Sequence, residues 1–179
     1  MNPTERRDRL RLVRTEGVGP ITYGRLMARY RTAAEAIDAL PGLARAGGRA
    51  GPLRIPGPDA ADRELDQLEA MGARLVWLGD PEYPELLAFI DGAPPALAVL
   101  GDVSALNADA VALVGARNAS TNGKRMAELL AADLAASGLV VVSGMARGID
   151  TAAHIGALQA GRTVAAIAGG IDVAYPAEN

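Results

Sequence analysis

The sequence predicts an α/β fold: a Rossmann-like parallel sheet with flanking helices, preceded by a small all-α domain. Two observations carry this prediction. From residue 110 onward, short valine-rich apolar runs alternate with helix-like segments, which is the pattern of parallel strands joined by crossover helices. Before residue 47, apolar residues instead recur at spacings of three and four, as in amphipathic helices. With one Phe, one Trp and abundant alanine, the helices are expected to pack through small residues.

Three short helices are predicted within residues 1–46. Thr4 can cap the first helix, and the turn Gly17-Val18-Gly19-Pro20 separates it from the second. The third helix is expected to end at Pro41-Gly42. A helix, a glycine-rich turn and a second helix form a helix-hairpin-helix pattern, whose turn N–H groups can contact a nucleic-acid phosphate. A pure packing role for the turn is the alternative.

Residues 47–58 contain four Gly and three Pro, which predicts a linker. The chain is therefore divided into a helical domain at 1–46, the linker, and a Rossmann-like domain at 59–179. The third parallel strand and its loop lie close to Asn179. Three strands make a thin sheet, so we expect this chain to be the N-terminal portion of a longer domain.

Charge is divided unevenly along the chain, although the net charge is only −3. Residues 1–54 carry eleven arginines against five acidic residues, a balance of +6. Residues 55–179 carry seven basic against sixteen acidic residues, a balance of −9. A basic segment can follow a phosphate backbone even in an acidic protein. Duplex DNA is therefore a candidate partner of the N-terminal helices, with simple solvation of those helices as the alternative.

Each of the three predicted parallel strands, at 111–114, 139–142 and 163–168, ends on a glycine-containing turn. Right-handed crossovers place the carboxyl ends of all three strands at one edge of the sheet, where open α/β sheets bind their ligands. The turns are Gly115-Ala116-Arg117, Ser143-Gly144-Met145-Ala146-Arg147-Gly148 and Gly169-Gly170. This edge is the predicted functional site.

The turn from Ser143 to Gly148 leads directly into a predicted helix, Ile149 to Ala160. Backbone N–H groups of such a turn, together with the helix dipole, favour an anion. Arg147 adds a positive side chain, and Asp150 either suits the dipole or, as we favour, holds Arg147 in a bidentate pair. The local chemistry predicts phosphate binding.

Signatures of small cofactors are missing from this edge, and no cofactor is predicted. Dinucleotide binding would require a second glycine where Arg117 stands. A Walker phosphate loop would require Lys followed by Ser or Thr, whereas Lys124 precedes Arg125. NAD and ATP chemistry are therefore disfavoured.

His154 is the only histidine and there is no cysteine, so neither a disulfide framework nor a zinc site is expected. His154 follows Asp150 by one helical turn, which makes a hydrogen bond between the two plausible. A structural role for His154 is favoured over a catalytic one, and no catalytic residue is predicted. No apolar run of membrane-spanning length and no signal segment occur, which fits a cytoplasmic protein.

Three motifs of this chain together resemble the DprA family of DNA-processing proteins, in that family's order and spacing over about residues 75 to 179. They are Val111-Ala-Leu-Val-Gly-Ala-Arg117, Ser143-Gly-Met-Ala-Arg-Gly-Ile-Asp150 with Ala153-His154, and Gly170-Ile-Asp-Val-Ala-Tyr-Pro-Ala-Glu-Asn179. The N-terminal helices resemble the small SAM-like domain that precedes the Rossmann-like domain in many members.

The resemblance implies a protein that binds single-stranded DNA, protects incoming DNA in natural transformation and helps to load the RecA recombinase, without catalysing a reaction. It also implies a homodimer for the longer protein, whose dimer contacts lie largely in the later part of the domain and so not in this chain. The predicted DNA-binding residues are Gly115, Arg117, Ser143, Gly144, Arg147, Gly148, Asp150, Gly169 and Gly170, with Asp172 also matching the third loop.

A second function stays open from the residues alone, namely a Rossmann-like hydrolase acting on nucleoside monophosphates. Its phosphate site would occupy the same sheet edge, and Asp150 or His154 would have to act as acid or base. A pure protein-interaction module is a third alternative, but it gives the arginine-bearing turns no role.

Overall fold

The computed structural model describes residues 1–173 and 176, and the chain forms two compact units, Met1–Gly101 and Asp102–Asn179. The first unit is mainly helical, and the second contains a parallel sheet. Within the described part of the chain, no helix has both the length and the apolar character needed to cross a bilayer.

Five helices, one of them a single turn, and two strands make up the first unit. They are α1 (Pro3–Val13), α2 (Pro20–Arg29), α3 (Ala33–Ala46), α4 (Pro58–Ala70), β1 (Ala73–Trp77), a one-turn helix α5 (Glu85–Ala88) and β2 (Ala96–Leu100). Strands β1 and β2 pair in antiparallel register. The three predicted N-terminal helices are therefore confirmed.

Two helix ends, the start of α1 and the end of α3, differ from the predicted positions, and each difference has a local cause. Asn2, not Thr4, caps α1, because its side chain accepts a hydrogen bond from the Glu5 N–H at 2.8 Å and Pro3 fits the first helical position. Helix α3 continues through Pro41 to Ala46, so the predicted end there is wrong. Leu43 and Ala44, in the turn beyond the proline, are half-buried, and their packing offsets the backbone hydrogen bond that Pro41 cannot make.

Packing of α1 holds the first unit together. Leu10 and Leu12 are fully buried, as is Ala33 at the start of α3. Arg14 at the end of α1 pairs with Glu64 of α4 at 2.7 Å. The helices thus surround a small apolar core, with ion pairs at its margin.

The second unit contains the predicted parallel sheet. Its elements are a 3₁₀ helix (Val103–Asn107), β3 (Ala110–Ala112), α6 (Thr121–Ala136), β4 (Val140–Ser143), α7 (Ile149–Ala160) and β5 (Thr163–Ala165). The strand order is β3-β4-β5, with both pairs parallel. This confirms the predicted alternation of strands and helices, and α7 has the predicted bounds.

Helices α6 and α7 lie on the same face of this sheet. Two right-handed crossovers that step in one direction across adjacent strands must place both helices on one side. Residues of β3 that point away from the helices are open to solvent, and Val114 just beyond the strand is 78% exposed. In the described part of this unit, helices therefore cover one face of the sheet.

Small residues dominate the contact between α6, α7 and the sheet. The core cluster is Ala131, Ala135, Val141, Ala153 and Ala157. At Gly156 the helices approach so closely that an added Cβ would overlap the Glu128 carbonyl and lie 2.8 Å from its carbon. The expectation that the helices pack through small residues is confirmed, and the closeness of α6 to α7 depends on Gly156.

We predict that Gly156→Ala destabilises the protein by about 1–3 kcal/mol, because α6 would have to move away from α7. Gly24→Ala in α2 is the matched control: its Cβ would meet nothing within 4 Å, and alanine is the better helix former by up to about 1 kcal/mol. Chemical denaturation of both variants measures the difference. Equal or increased stability of Gly156→Ala would contradict the close packing.

Candidate nucleic-acid interface

The carboxyl ends of the three parallel strands are joined by hydrogen bonds at the predicted edge. The Ser143 hydroxyl donates to the Leu113 carbonyl oxygen at 2.7 Å, and the Ala166 N–H donates to the Ser143 carbonyl oxygen at 2.9 Å. Ser143 is buried. Its hydroxyl therefore connects β4 to β3, and this position gives Ser143 a structural task at the predicted site.

The loop after β3 packs directly on the start of α7. The Ile149 N–H donates to the Ala116 carbonyl oxygen at 3.3 Å. Gly148 has a φ of +88°, and a Cβ there would lie 2.5 Å from the Arg117 carbonyl oxygen. A Cβ at Gly115 would lie 2.6 Å from Ile149 Cγ1. Glycine is therefore needed at both 115 and 148. It allows the loop after β3 and the loop before α7 to lie against each other.

Asp150 organises the second loop from inside. Its Oδ2 accepts hydrogen bonds from the N–H groups of Gly144, at 3.2 Å, and Ala146, at 3.3 Å, and the residue is buried. Among the described residues no ion pair joins Asp150 to Arg147, so the pairing that the sequence favoured is not formed there. Asp150 shapes the loop that carries Arg147, and any contact it makes with DNA stays a prediction.

The N–H groups expected to receive a phosphate are largely used within the protein. Asp150 accepts those of Gly144 and Ala146, and the Ala146 carbonyl oxygen accepts the Thr151 N–H at 3.1 Å. The Ile149 N–H is taken by the preceding loop. A backbone cradle of the kind seen at helix N-termini is therefore a poor description of this site, and side-chain charge becomes the main source of anion affinity.

Side chains from both loops and both helices line an open groove of about 370 Å³. Three of its residues are cationic, one is acidic, and the remainder are small or apolar apart from a threonine. The lining residues are Arg117, Lys124, Glu128, Arg147, Gly148, Thr151, Ala152 and Ile155. Gly169 and Gly170 follow β5 and are exposed, but they are not part of this lining.

Two of the three cations are available for a ligand. Arg117 and Lys124 are exposed, and neither side chain forms a hydrogen bond or ion pair with another residue in the described ranges 1–173 and 176. Arg147 is also exposed and lines the same groove. Three positive side chains around one groove suit a ligand with several phosphate charges.

The partly buried His154 forms a hydrogen bond inside the second unit and does not line the groove. Its Nδ1 lies 2.7 Å from the Thr163 hydroxyl, which itself donates to the Val141 carbonyl oxygen at 2.7 Å. That hydroxyl must accept, so Nδ1 carries the proton. Nε2 is buried without a hydrogen-bond partner among the described residues. The predicted hydrogen bond to Asp150 is thus replaced by one to Thr163.

The structure also bears on metal binding and on the third motif, residues 170–179. The described residues contain no cluster of three or more histidine, aspartate or glutamate residues able to hold a metal ion. Residues 174, 175 and 177–179 of the third motif lie outside the described residues. Its described portion, which includes Asp172, lies in the loop after β5.

Sequence comparison identifies the family. Residues 74–179 match the family of DNA recombination-mediator protein A, and residues 3–66 match a DprA-like N-terminal HHH domain. The chain belongs to the DNA recombination-mediator protein A family. Both the family recognised from the three motifs and the helix-hairpin-helix pattern around residues 17–20 are confirmed.

Two curated relatives illustrate the match. DNA processing protein DprA of Streptococcus pneumoniae is 45% identical over 101 residues, covering 56% of this chain and 36% of the relative. A putative DprA of Mycobacterium tuberculosis is 42% identical over 133 residues, covering 65% of this chain and 34% of the relative. The chain therefore matches about a third of the length of these relatives.

Solved structures show the same fold. The X-ray structure of Streptococcus pneumoniae DprA superposes with a TM-score of 0.57 at 36% identity, covering 70% of this chain and 47% of that one. A Helicobacter pylori DprA structure, which concerns the single-stranded DNA binding mode of that protein, gives a TM-score of 0.52 at 28% identity, covering 59% and 47%.

Five of the eight groove residues were not predicted from the sequence: Lys124, Glu128, Thr151, Ala152 and Ile155. Lys124 and Glu128 lie one turn apart on α6, and Thr151 and Ile155 lie one turn apart on α7. The spacing of four residues was a usable signal, since such pairs share one helix face. Knowing that those two faces meet at the groove, however, requires the packing of α6 on α7.

We predict that His154 makes stability fall as pH is lowered. Burial lowers the pKa of the imidazole, and the nearby Asp150 carboxylate opposes this only in part. Stability is then fully present above the unfolded-state pKa of about 6.5 and is lost below it, because the unfolded chain takes up the proton first. The slope of the free energy of unfolding against pH cannot exceed about 1.4 kcal/mol per pH unit for one proton.

His154→Gln removes this titration and is the comparison to make. Denaturation at a series of pH values from about 8 to about 5, on both sides of the ordinary histidine pKa, gives the slope for each protein. The wild-type free energy should decrease more steeply than that of the variant. Parallel curves would show that His154 does not titrate at a lowered pKa.

Proposed function

We propose that this chain binds single-stranded DNA by its phosphate backbone, through the groove at the carboxyl edge of the parallel sheet. The supporting observation is the meeting of Arg117, Lys124 and Arg147 around one open groove. Phosphate contacts of this kind supply affinity and orientation, and they carry no sequence information. The single-stranded DNA binding mode described for the Helicobacter pylori relative supports the choice of ligand.

We further propose that the longer protein acts in natural transformation, where it protects incoming DNA and helps to load RecA, and that it does so as a homodimer in the cytoplasm. Family membership supports the recombination role. The chain spans about a third of its curated relatives, so these activities are assigned to the longer protein.

Binding without catalysis is part of the same proposal. The two residues that a nucleoside monophosphate hydrolase would use are both held by internal hydrogen bonds. Asp150 accepts from two loop N–H groups, and Nδ1 of His154 donates to Thr163. Neither side chain lines the groove. These positions favour a binding protein over the hydrolase.

The N-terminal helices are proposed to add affinity, including for duplex DNA. Five of the eleven arginines in residues 1–54 form ion pairs with Asp or Glu, and their charge is thereby offset. Six form no ion pair within the described residues: Arg6, Arg25, Arg29, Arg31, Arg45 and Arg54. Our proposed domain organisation is a helical domain at residues 1–46, a linker at 47–58 and a Rossmann-like domain from residue 59.

Arg117→Ala and Arg147→Ala test the groove. Each should flatten the slope of log affinity against log salt by about 0.7 unit on single-stranded DNA, which corresponds to one lost phosphate contact. Arg162→Ala is the control, because Arg162 precedes β5 and so lies at the opposite edge of the sheet, beside Asp102. Fluorescence anisotropy over a range of salt measures the slopes. Unchanged slopes in both groove variants would remove this site.

The double variant Arg25→Ala/Arg29→Ala tests the N-terminal helices. Both side chains are exposed on α2, so their removal should weaken duplex binding and reduce its salt slope, with little change in stability. Arg9→Ala/Arg14→Ala, which removes ion-paired arginines of α1, is the comparison. Gel-shift titration on duplex DNA checks the result. Equal duplex affinity of wild type and Arg25→Ala/Arg29→Ala would contradict the contact.

A further inference from the structure

Glu128 is an acidic residue in a groove whose other charged residues are cationic. It lies on α6, one turn after Lys124, and it is partly buried. A carboxylate repels phosphate, so a groove that served only to hold a DNA backbone would be weakened by it. Glu128 shares this groove with Arg117 and Arg147, and its carboxylate suits a ligand group that donates a hydrogen bond.

The Glu128 carboxylate is held in place by a neutral partner. Gln159 of α7 donates to its Oε1 at 2.8 Å. Within the described residues Glu128 forms no ion pair with Lys124, although the two are one turn apart. The backbone of Glu128 is fixed as well, because Gly156 packs against its carbonyl group. One carboxylate oxygen is thus oriented by the amide, and Oε2 keeps its capacity to accept.

The surface beside Glu128 is apolar. Ile155, 49% exposed, and Ala152 line the same groove, with the Thr151 hydroxyl at their side donating to the Ala146 carbonyl oxygen. A flat nucleobase can cover such an aliphatic surface while its phosphates contact the cations. The base edge would then face the carboxylate, which can only accept hydrogen bonds.

We propose that Glu128 is a specificity-determining residue that accepts a hydrogen bond from the exocyclic amino group of a nucleobase lying over Ile155. This inference rests on the proposed single-stranded DNA function and deepens it. Cytosine offers an N4 amino group where thymine offers an O4 acceptor. A carboxylate therefore favours cytosine and disfavours thymine, and adenine and guanine also carry amino groups.

Oligo-dC and oligo-dT of equal length provide the test, at slightly alkaline pH so that cytosine stays neutral. The wild-type chain should bind oligo-dC more tightly by roughly tenfold, the effect of one hydrogen bond to a charged group. The ratio should persist as salt is raised, since salt weakens the phosphate contacts of both ligands alike. Glu128→Gln should bring the two affinities together, because an amide can also donate to thymine O4.

Asp133→Asn is the matched control on the same helix. Asp133 is exposed and does not line the groove, so this variant should keep the wild-type preference. Equal wild-type affinities for the two oligonucleotides, or a preference that survives in Glu128→Gln, would overturn the inference and leave the proposed function standing. Failure of the wild-type chain to bind either oligonucleotide would overturn both.

Discussion

The candidate site depends on one backbone contact, the approach of the loop after β3 to the first residue of α7. The Ile149 N–H donates to the Ala116 carbonyl oxygen, and glycines at 115 and 148 leave the space that this approach requires. Arg117 directly follows Ala116, and Arg147 lies two residues before Ile149. This contact therefore brings both arginines to one groove. A Cβ at either glycine would separate the loops and with them the charges.

Asp150 completes this arrangement and changes the way in which the site can bind an anion. By accepting the N–H groups of Gly144 and Ala146, it fixes the loop before any ligand arrives, and less conformational entropy is lost on binding. The same hydrogen bonds remove those N–H groups from the ligand. Affinity then comes from exposed side-chain charges, which are strongly weakened by salt and tolerant of sequence.

Much of the sheet edge was predictable because its signals are local. A valine-rich run followed by a glycine-containing turn with an arginine predicts a strand and its loop, so the sequence placed Arg117 and Arg147 at this edge, where they line one groove. The family was recognised as well. The partners of Asp150 and His154 were not found. The hydrogen bond from His154 to Thr163 depends on where α7 lies over β5, and helix spacing alone pointed to the neighbouring Asp150. The same holds at Pro41, where packing of Leu43 and Ala44 beyond the proline outweighs a helix-ending signal.

The position of Glu128 in the groove depends on helix packing that no sequence motif indicates. Gly156 lets α7 lie against the backbone of Glu128, and the buried alanines further along keep the two helices close. This closeness allows Gln159 to reach the Glu128 carboxylate, which lines the same groove as the two arginines. Positive side chains supply affinity for the phosphate backbone of any sequence. With a fixed carboxylate beside an aliphatic surface, the same groove has the means to distinguish one base from another.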